Sequence, residues 1–386
     1  MHLLELSGRI RLVDGEDADG PYATVSHTWK RGVPVLVLTQ GGLAQMKDEV
    51  AWTDLPPTVR YAISVARGQL LKYLWVQTLC VIQDDAADWN WHVEHMAQIY
   101  GNSYLNISLS PAPDPLSPLN DRWTSEEMKT PVQIHEINLT HADENYQVYV
   151  RPKLFEVHNM FDFASCPLRD TGMAEGPNGL IFEDVWALQG TLLAPRTIHF
   201  HLSEMVWECR AVLKCECRSL IQQYPISNDH GGVRGKFRAA VGRTIQLDAK
   251  SLLTVWYRIS AIHAATRTRE GRSRMQALVG TAELFQPLVD LGYFAGLFAS
   301  NREVLAKELM WSYQRFGNTG PAVRASYDRW TPTWSWASML TSNANMEPWH
   351  RDELEYFHCD KSFQVAKLEN NAPLGASPEH PFNAVD

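Results

Sequence analysis

The sequence predicts an α/β protein organised on a mostly parallel sheet with helices packed against it, and three stretches support that reading. PYATVSHTW (21–29) alternates and is rich in β-formers, so it reads as a strand ending at His27–Trp29. LPPTVRYAISVARGQL (55–70) has a helical period, with Pro56 and Pro57 in the first turn and Val59, Ile63, Ala66 and Leu70 on one face. KYLWVQTLCVIQDDAADWNWHVEHMAQIYGNSYLN (72–106) contains an apolar strand over Tyr73–Ile82 and an acidic turn at Asp84, Asp85 and Asp88. A helix capped by Asp88 and the start of a further strand, SYLNISLS (103–110), follow. Trp89, Val93, Met96 and Tyr100 form the inward face of that helix. Strand–helix–strand–helix–strand in this order is the signal of a parallel α/β sheet. In such sheets ligands sit where strands end and loops begin, here Gln77 through Asp85.

The remaining elements follow in order. Residues 1–20 read as a strand pair with a polar turn at Asp14–Gly20, and Lys30–Gly42 as a loop carrying the apolar patch VPVLVLT. PAPDPLSPL (111–119) ends the first half, and 130–182 contains alternating pieces and a Gly/Pro-rich loop. VWALQGTLLAPRTIHFHLSEMVWECR (185–210) predicts a short helix, a break at Pro195 and a hairpin around Ser203–Glu204. Residues 222–240 read as a polar loop, 250–315 as helical throughout, WTPTWSWASM (330–339) as an extended run, and 370–386 as a polar tail. The predicted organisation is one domain over 1–340, with a sheet core (21–110), insertions and a hairpin (130–215) and a helical region (250–315), then an extension over 341–386.

Composition narrows the function. The chain has 386 residues, 45% apolar and 20% charged, with a net charge of −9, so no basic face for nucleic acid is expected. The N-terminus has no long apolar core and no stretch of about 18 apolar residues occurs, which predicts a cytoplasmic protein with neither signal peptide nor membrane span. The six cysteines are expected to be reduced, and Cys209, Cys215 and Cys217, near His199 and His201, lack paired metal-ligand spacing. Asp84, Asp85 and Asp88 suit a solvated capping turn better than a cation site, and Cys80 suits a buried structural thiol. G-x-G-x-x-G, G-x-x-x-x-G-K-[ST] and H-E-x-x-H are absent, so no cofactor and no metal are expected. Ser26–His27 adjacency does not make a triad, which is a spatial arrangement.

Taken together, PYATVSHTW, LPPTVRYAISVAR, YLWVQTLCVIQDDAADW, the Glu94–Met96–Ile99–Tyr100–Asn102 spacing, WALQGTLLAPRTIHF, VWECR, YFAGLF, LMW and PTWSWAS resemble the fungal heterokaryon-incompatibility (HET) domain, in its order, over about 21–338. The resemblance implies a flavodoxin/TIR-like sheet with family-specific hairpin and helical insertions, and a role in non-self recognition and programmed cell death. Four departures mostly remove charge. Gln77 stands where the family usually has Asp, Thr28-Trp29-Lys30 where Cys-Trp-Gly is usual, Gln189-Gly190-Thr191 where Gln-Glu-Arg is usual, and Ser273 where Asp is common.

A glutamine donates and accepts hydrogen bonds but is no general base, so chemistry that needs the family's carboxylate is not expected at position 77. The fourteen tryptophans suit either a large core or an aromatic-walled pocket. Trp29, Trp75, Trp186, Gln189, Trp334 and Trp336 are the candidate substrate-binding residues, and Gln77, Thr191 and His27 the candidate catalytic ones. Positioning a flexible substrate can supply about 7–11 kcal/mol, and one donor to a developing oxyanion roughly 2.7–4 more. The expectation is a cofactor-independent cyclase or pericyclase of terpenoid or polyketide biosynthesis, binding an apolar small molecule, with self-association allowed. The alternatives are an incompatibility factor acting by protein contacts and a non-catalytic HET relative.

Overall fold

The structure is a computed structural model that describes residues 1–27, 36–109, 135–141, 144–150, 185–200, 205–216, 221–223, 233–243, 245–265 and 274–301, and within 304–347 the short pieces 304–305, 308–309, 312–315, 323–324, 331–332, 334–340 and 344–347. The chain opens with a hairpin, β1 (His2–Glu5) and β2 (Arg11–Asp14), and then enters β3 (Tyr22–His27). Short α1 (Leu43–Asp48) precedes α2 (Pro57–Gly68), β4 (Tyr73–Trp75), the one-turn α3 (Gln77–Cys80), α4 (Ala86–Gly101) and β5 (Leu105–Leu109). A separate hairpin, β6 (His135–His141) with β7 (Glu144–Val150), lies between β5 and α5 (Val185–Leu193). Next come β8 (Arg196–Phe200), β9 (Met205–Cys209), β10 (Val212–Cys215), β11 (Ile221–Gln223) and the helices α6 (Val233–Val241), α7 (Ala249–Ala265) and α8 (Arg274–Val289).

Nine strands form the main sheet in the order β11-β10-β9-β8-β5-β3-β4-β1-β2. Its centre, β8-β5-β3-β4, is parallel, as the alternation of strands and helices predicts, while β1–β2 and β9–β11 add antiparallel flanks. From β3 the chain moves to one neighbour, β4, and then crosses back to the other, β5. That reversal is a topological switch point at the carboxyl ends of β3 and β5, and it places helices on both faces. On one face α2 buries Val59, Ala62, Ile63 and Ala66, with Val59 and Ile63 each contributing roughly 1.5–3 kcal/mol. Tyr61 of α2 meets Phe200 edge-on at 5.1 Å, which identifies the face of Ala23, Val25, His27, Ile107, Leu109 and Phe200 as the α2 face. The opposite face carries α4 and α5, and α8 packs over both of those helices. A second core, including Phe237, Trp256, Phe285, Phe298 and Trp336, joins α6, α7 and α8 to the outer side of α5 through Leu188 and Leu192. Among the described residues no helix is long and apolar enough to cross a membrane.

Several local expectations are corrected. The apolar run 73–82 is a strand only to Trp75. The Leu79 and Cys80 amides then bond the Val76 carbonyl at 2.9 and 2.8 Å, and one helical turn replaces the strand. The cap of α4 is Asp85, which accepts from the Ala87 and Asp88 amides, while Asp88 accepts from the Ile82 amide at 2.7 Å. In the first hairpin the turn spans 6–10, and Asp14–Gly20 is the lead-in to β3. Within 222–240, α6 forms because Phe237 stacks on Phe285 in the helical core, with centroids 6.1 Å apart. The helical stretch from 250 ends at Val289 and yields to a hairpin, β12 (Gly292–Phe294) and β13 (Leu297–Ala299). Ala295 (φ 42°) and Gly296 (φ 97°) make its two-residue turn, and a Cβ on Gly296 would lie 2.7 Å from the Trp336 indole nitrogen. Residues 336–338 form a 3₁₀ turn instead of an extended run. Residues 28–35, all of 151–182 and the tail after 347 lie outside the described residues.

The end of α2 generates a prediction. The Leu71 amide bonds the Ala66 carbonyl and the Leu70 amide that of Arg67, a Schellman closure that puts Leu70 at φ 59° with 90% of its surface exposed. A left-handed backbone costs a residue with a Cβ roughly 1–2 kcal/mol, and glycine escapes that cost. Leu70→Gly is expected to stabilise the protein by about 1 kcal/mol, read as a higher urea midpoint with an unchanged slope.

Candidate functional site

Strands buried on both faces of a parallel sheet normally read as continuous apolar runs. Here one face is different. Thr24 and Ser26 of β3, Asn106 and Ser108 of β5, Thr197 and His199 of β8 and Glu208 of β9 all point toward the α4 face, and all are buried. Such groups must find partners in the protein, because each one left without costs about 1–3 kcal/mol. Asn106 Oδ1 accepts from Thr24 Oγ1 and Ser26 Oγ, both at 3.1 Å, and Ser103 Oγ donates to the Tyr100 carbonyl at 2.7 Å.

Toward the carboxyl ends of the strands this stripe becomes ionic. His199 Nε2 lies 2.9 Å from Glu208 Oε2, and His199 Nδ1 lies 3.1 Å from Ser108 Oγ. Arg238, brought in by α6, places Nε 3.0 Å from Glu208 Oε1 but off the N–H axis, so that contact is an ion pair and not a hydrogen bond. The same guanidinium donates to the Ala194 carbonyl at 2.9 Å and to the Thr191 carbonyl. Side chains of His199, Glu208 and Arg238 are each only 1% exposed. The β8–β9 register sets Thr197 opposite Glu208, leaving His199 on the diagonal of the same face.

The loop after β4 is knitted to the segment before α1. The Leu38 amide bonds the Thr78 carbonyl and the Gln83 amide bonds the Leu38 carbonyl, both at 2.9 Å, and the Gln40 amide donates to Asp84 at 2.8 Å. Asp85 also accepts from the Gln40 side chain, and its cap bonds with the Asp88 and Ala87 amides hold its carboxyl below the usual range. Gln77 opens α3 half-buried. Its carbonyl accepts from Gln83 Nε2 at 3.1 Å, and its own amide nitrogen is buried with no hydrogen-bond partner among the described residues. Burial pushes the Cys80 thiol up to about 12, and the Val76 amide donates to its sulfur at 3.4 Å, which suits a structural thiol.

The other candidate residues are dispersed. His27 ends β3 on the α2 face, buried, opposite the side that carries Thr191, Gln189 and Trp186. Thr191 bonds the Leu188 carbonyl inside α5 at 2.8 Å. Gln189 is fully buried between α5, α4 and α8, 3.0 Å from where a Cβ on Gly280 would be, and its amide has no partner among the described residues. Trp75 is fully buried against Tyr100 (5.4 Å, edge-on) and near His92 (6.5 Å). Burial holds the His92 imidazole below its ordinary range, and its Nδ1 lies 2.8 Å from the Asp88 carbonyl, which only accepts, so Nδ1 carries the proton. Trp186 meets Trp89 at 5.4 Å, Trp336 is buried in the second core, and half-buried Trp334 packs beside it. Trp29 lies outside the described residues.

At Gly190 the departure follows from local packing. A Cβ there would stand 2.4 Å from Ser26 Oγ and 2.7 Å from the Tyr100 ring, so the Glu that the resemblance places at this position has no room. The Thr191 carbonyl beside it receives the Arg238 guanidinium. Sequence reading missed Ser108, Glu208 and Arg238 altogether and met His199 only beside the cysteines. The available signal was polar alternation in SYLNISLS, RTIHF and VWECR, strands that the βαβ pattern would bury on both faces.

Two stability predictions follow from this packing. Arg238→Met leaves Glu208 buried without its cation and is expected to cost about 3–5 kcal/mol in urea unfolding. Gly190→Ala is expected to cost about 1–3 kcal/mol by overpacking, measured in the same way.

Neither a curated protein nor a solved structure matches the chain. The family model described as Heterokaryon incompatibility protein (HET) matches residues 22–164, from the first residue of β3 through α2, β4, α4 and β5 and beyond them. The segment 22–164 is thus similar to the heterokaryon-incompatibility (HET) domain, in line with the resemblance read from the sequence.

Proposed function

We propose that this HET-domain protein binds a neutral, apolar small molecule at the carboxyl edge of β3, β4 and β5 and cyclises it without a cofactor, as a cyclase or pericyclase of secondary metabolism. The observation that carries the reading is the amide nitrogen of Gln77, a buried donor at the end of β4 with no partner among the described residues. A donor left in this state is suited to a ligand carbonyl, because the protein has already removed its water. The surrounding carboxylates support the same reading. Asp84 holds the Gln40 amide, Asp85 caps α4 and Asp88 holds the Ile82 amide. A reaction at this edge then proceeds by positioning and one hydrogen bond, without an acid–base pair. His27 belongs to the same edge by its place at the end of β3, and Trp75 is buried in the core two residues before Gln77. The catalytic unit is taken to span 1–340, in the cytoplasm.

A second reading, an incompatibility factor signalling through protein contacts, is favoured by the packing of Trp75, Trp186 and Trp336. These side chains lie inside the cores and not on a visible pocket wall.

Gene deletion in the organism of origin, with metabolite profiling, separates the two. The cyclase reading expects loss of one product and accumulation of an isomer of equal mass. Wild-type complementation restores the product, and Gln77→Leu falls short by on the order of 10²-fold in turnover. An unchanged metabolite profile, together with growth arrest on overexpression, supports the second reading.

A further inference from the structure

We propose that Arg196 and Arg210 form a binding site for a phosphate dianion, carried by a small phosphomonoester or by free inorganic phosphate. Arg210 stands between β9 and β10, half-buried, with its carbon stem against the end of α6. Gly242 makes room for that stem, because a Cβ there would come 3.1 Å from Arg210 Cδ and 3.4 Å from Arg210 Cβ. The helix end closes on itself instead of on the guanidinium. The Gly242 amide bonds the Arg238 carbonyl at 2.8 Å, and the Arg243 amide that of Ala240 at 3.0 Å. Among the described residues no carboxylate pairs with Arg210, whose pKa is lowered by burial and then by the charges of Arg238 and Arg196. A cation partly out of water beside two other cations gains from a bound anion on both counts.

Arg196 supplies the second guanidinium. The β8–β9 register pairs it with Cys209, the residue before Arg210, so both arginines stand at the amino end of β8. Arg196 lies over the Tyr104 ring at 5.3 Å, and its Nη1 donates to the Tyr104 carbonyl at 3.2 Å, which fixes the side chain while it stays exposed. Arg243, exposed and held at φ 54° where glycine is favoured, adds a further cation one residue after Gly242. Guanidinium forks match phosphate oxygens, and a dianion answers two positive charges where a carboxylate answers one. The net charge of −9 repels a long polyanion such as nucleic acid, whereas a compact ion responds to the local cations. This site lies at the end of the parallel strands opposite Gln77 and does not depend on the cyclase reading.

The test is calorimetric titration of the folded, full-length chain with inorganic phosphate and with phenyl phosphate, at a pH where both are doubly charged and with chloride holding the ionic strength constant. The expected result is saturable one-to-one binding. It weakens on the order of 10-fold or more in Arg196→Met and in Arg210→Met, and changes by less than about twofold in Arg9→Met, an exposed arginine elsewhere. Tighter binding of phenyl phosphate marks a monoester as the ligand, and equal or weaker binding marks free phosphate. Urea unfolding gives a second readout. Without phosphate, Arg210→Met is expected to be at least as stable as the wild type, and phosphate raises the midpoint of the wild type alone. No saturable binding by the wild type, binding that survives Arg210→Met, or an equal loss in Arg9→Met overturns the proposal. Should Arg210→Met fail to fold, Arg196→Met tests the site by itself.

Discussion

The Glu208–Arg238 ion pair, with His199 on the other carboxylate oxygen, is the constraint on which the rest of this structure depends. Two charges with 1% exposure survive in a protein interior only if each sees the other and their remaining hydrogen-bond capacity is met. Satisfying Arg238 draws α6 against the end of α5, through the Thr191 and Ala194 carbonyls. Satisfying Glu208 fixes the β8–β9 hairpin, and satisfying His199 reaches across to β5. The helical second core is thereby tied to the sheet by more than apolar contact. Breaking one member leaves a buried charge, whereas loss of an apolar contact elsewhere leaves a void.

The same constraint shapes the carboxyl edge. With Glu208 committed inside and the three aspartates of the loop after β4 committed to backbone amides, these charges serve the architecture, and the buried donors at the end of β4, Gln77 Nε2 with Thr78 Oγ1 and Trp75 Nε1, are neutral. Gly190 extends the logic to packing. Its missing Cβ lets Tyr100 and Ser26 close over the place where a longer side chain would project. A glutamine at 77 and a glycine at 190 are both neutral at positions where the resemblance would place an acid.

Much of the fold is legible in the sequence because it follows from local periodicity. β3, α2, α4, β5, α5 and the β8–β9 hairpin fall where alternation, proline placement and apolar spacing put them. What is not legible depends on distant partners. The run 73–82 is apolar enough for a long strand, but the ladder offered by β1 pairs only with Tyr73 and Leu74, and the chain then closes a helical turn on Val76. Asp85 and Asp88 compete for one cap, and the Ile82 amide, invisible to a sequence pattern, draws Asp88 away. The buried stripe was hardest to read, since alternating serine, asparagine and histidine ordinarily mark a solvated face. Only the helices α4 and α5 laid over it make it interior. Tryptophan counts misled for a related reason, since a large indole fills a core as readily as it lines a pocket.

The account turns on the pairing of Glu208 with Arg238. A double-mutant cycle in urea unfolding, over Glu208→Gln, Arg238→Met and the two together, reads that pairing directly. The account predicts that the two losses are coupled, the double variant losing less than their sum by roughly 0.5–3 kcal/mol. Additive losses would contradict it.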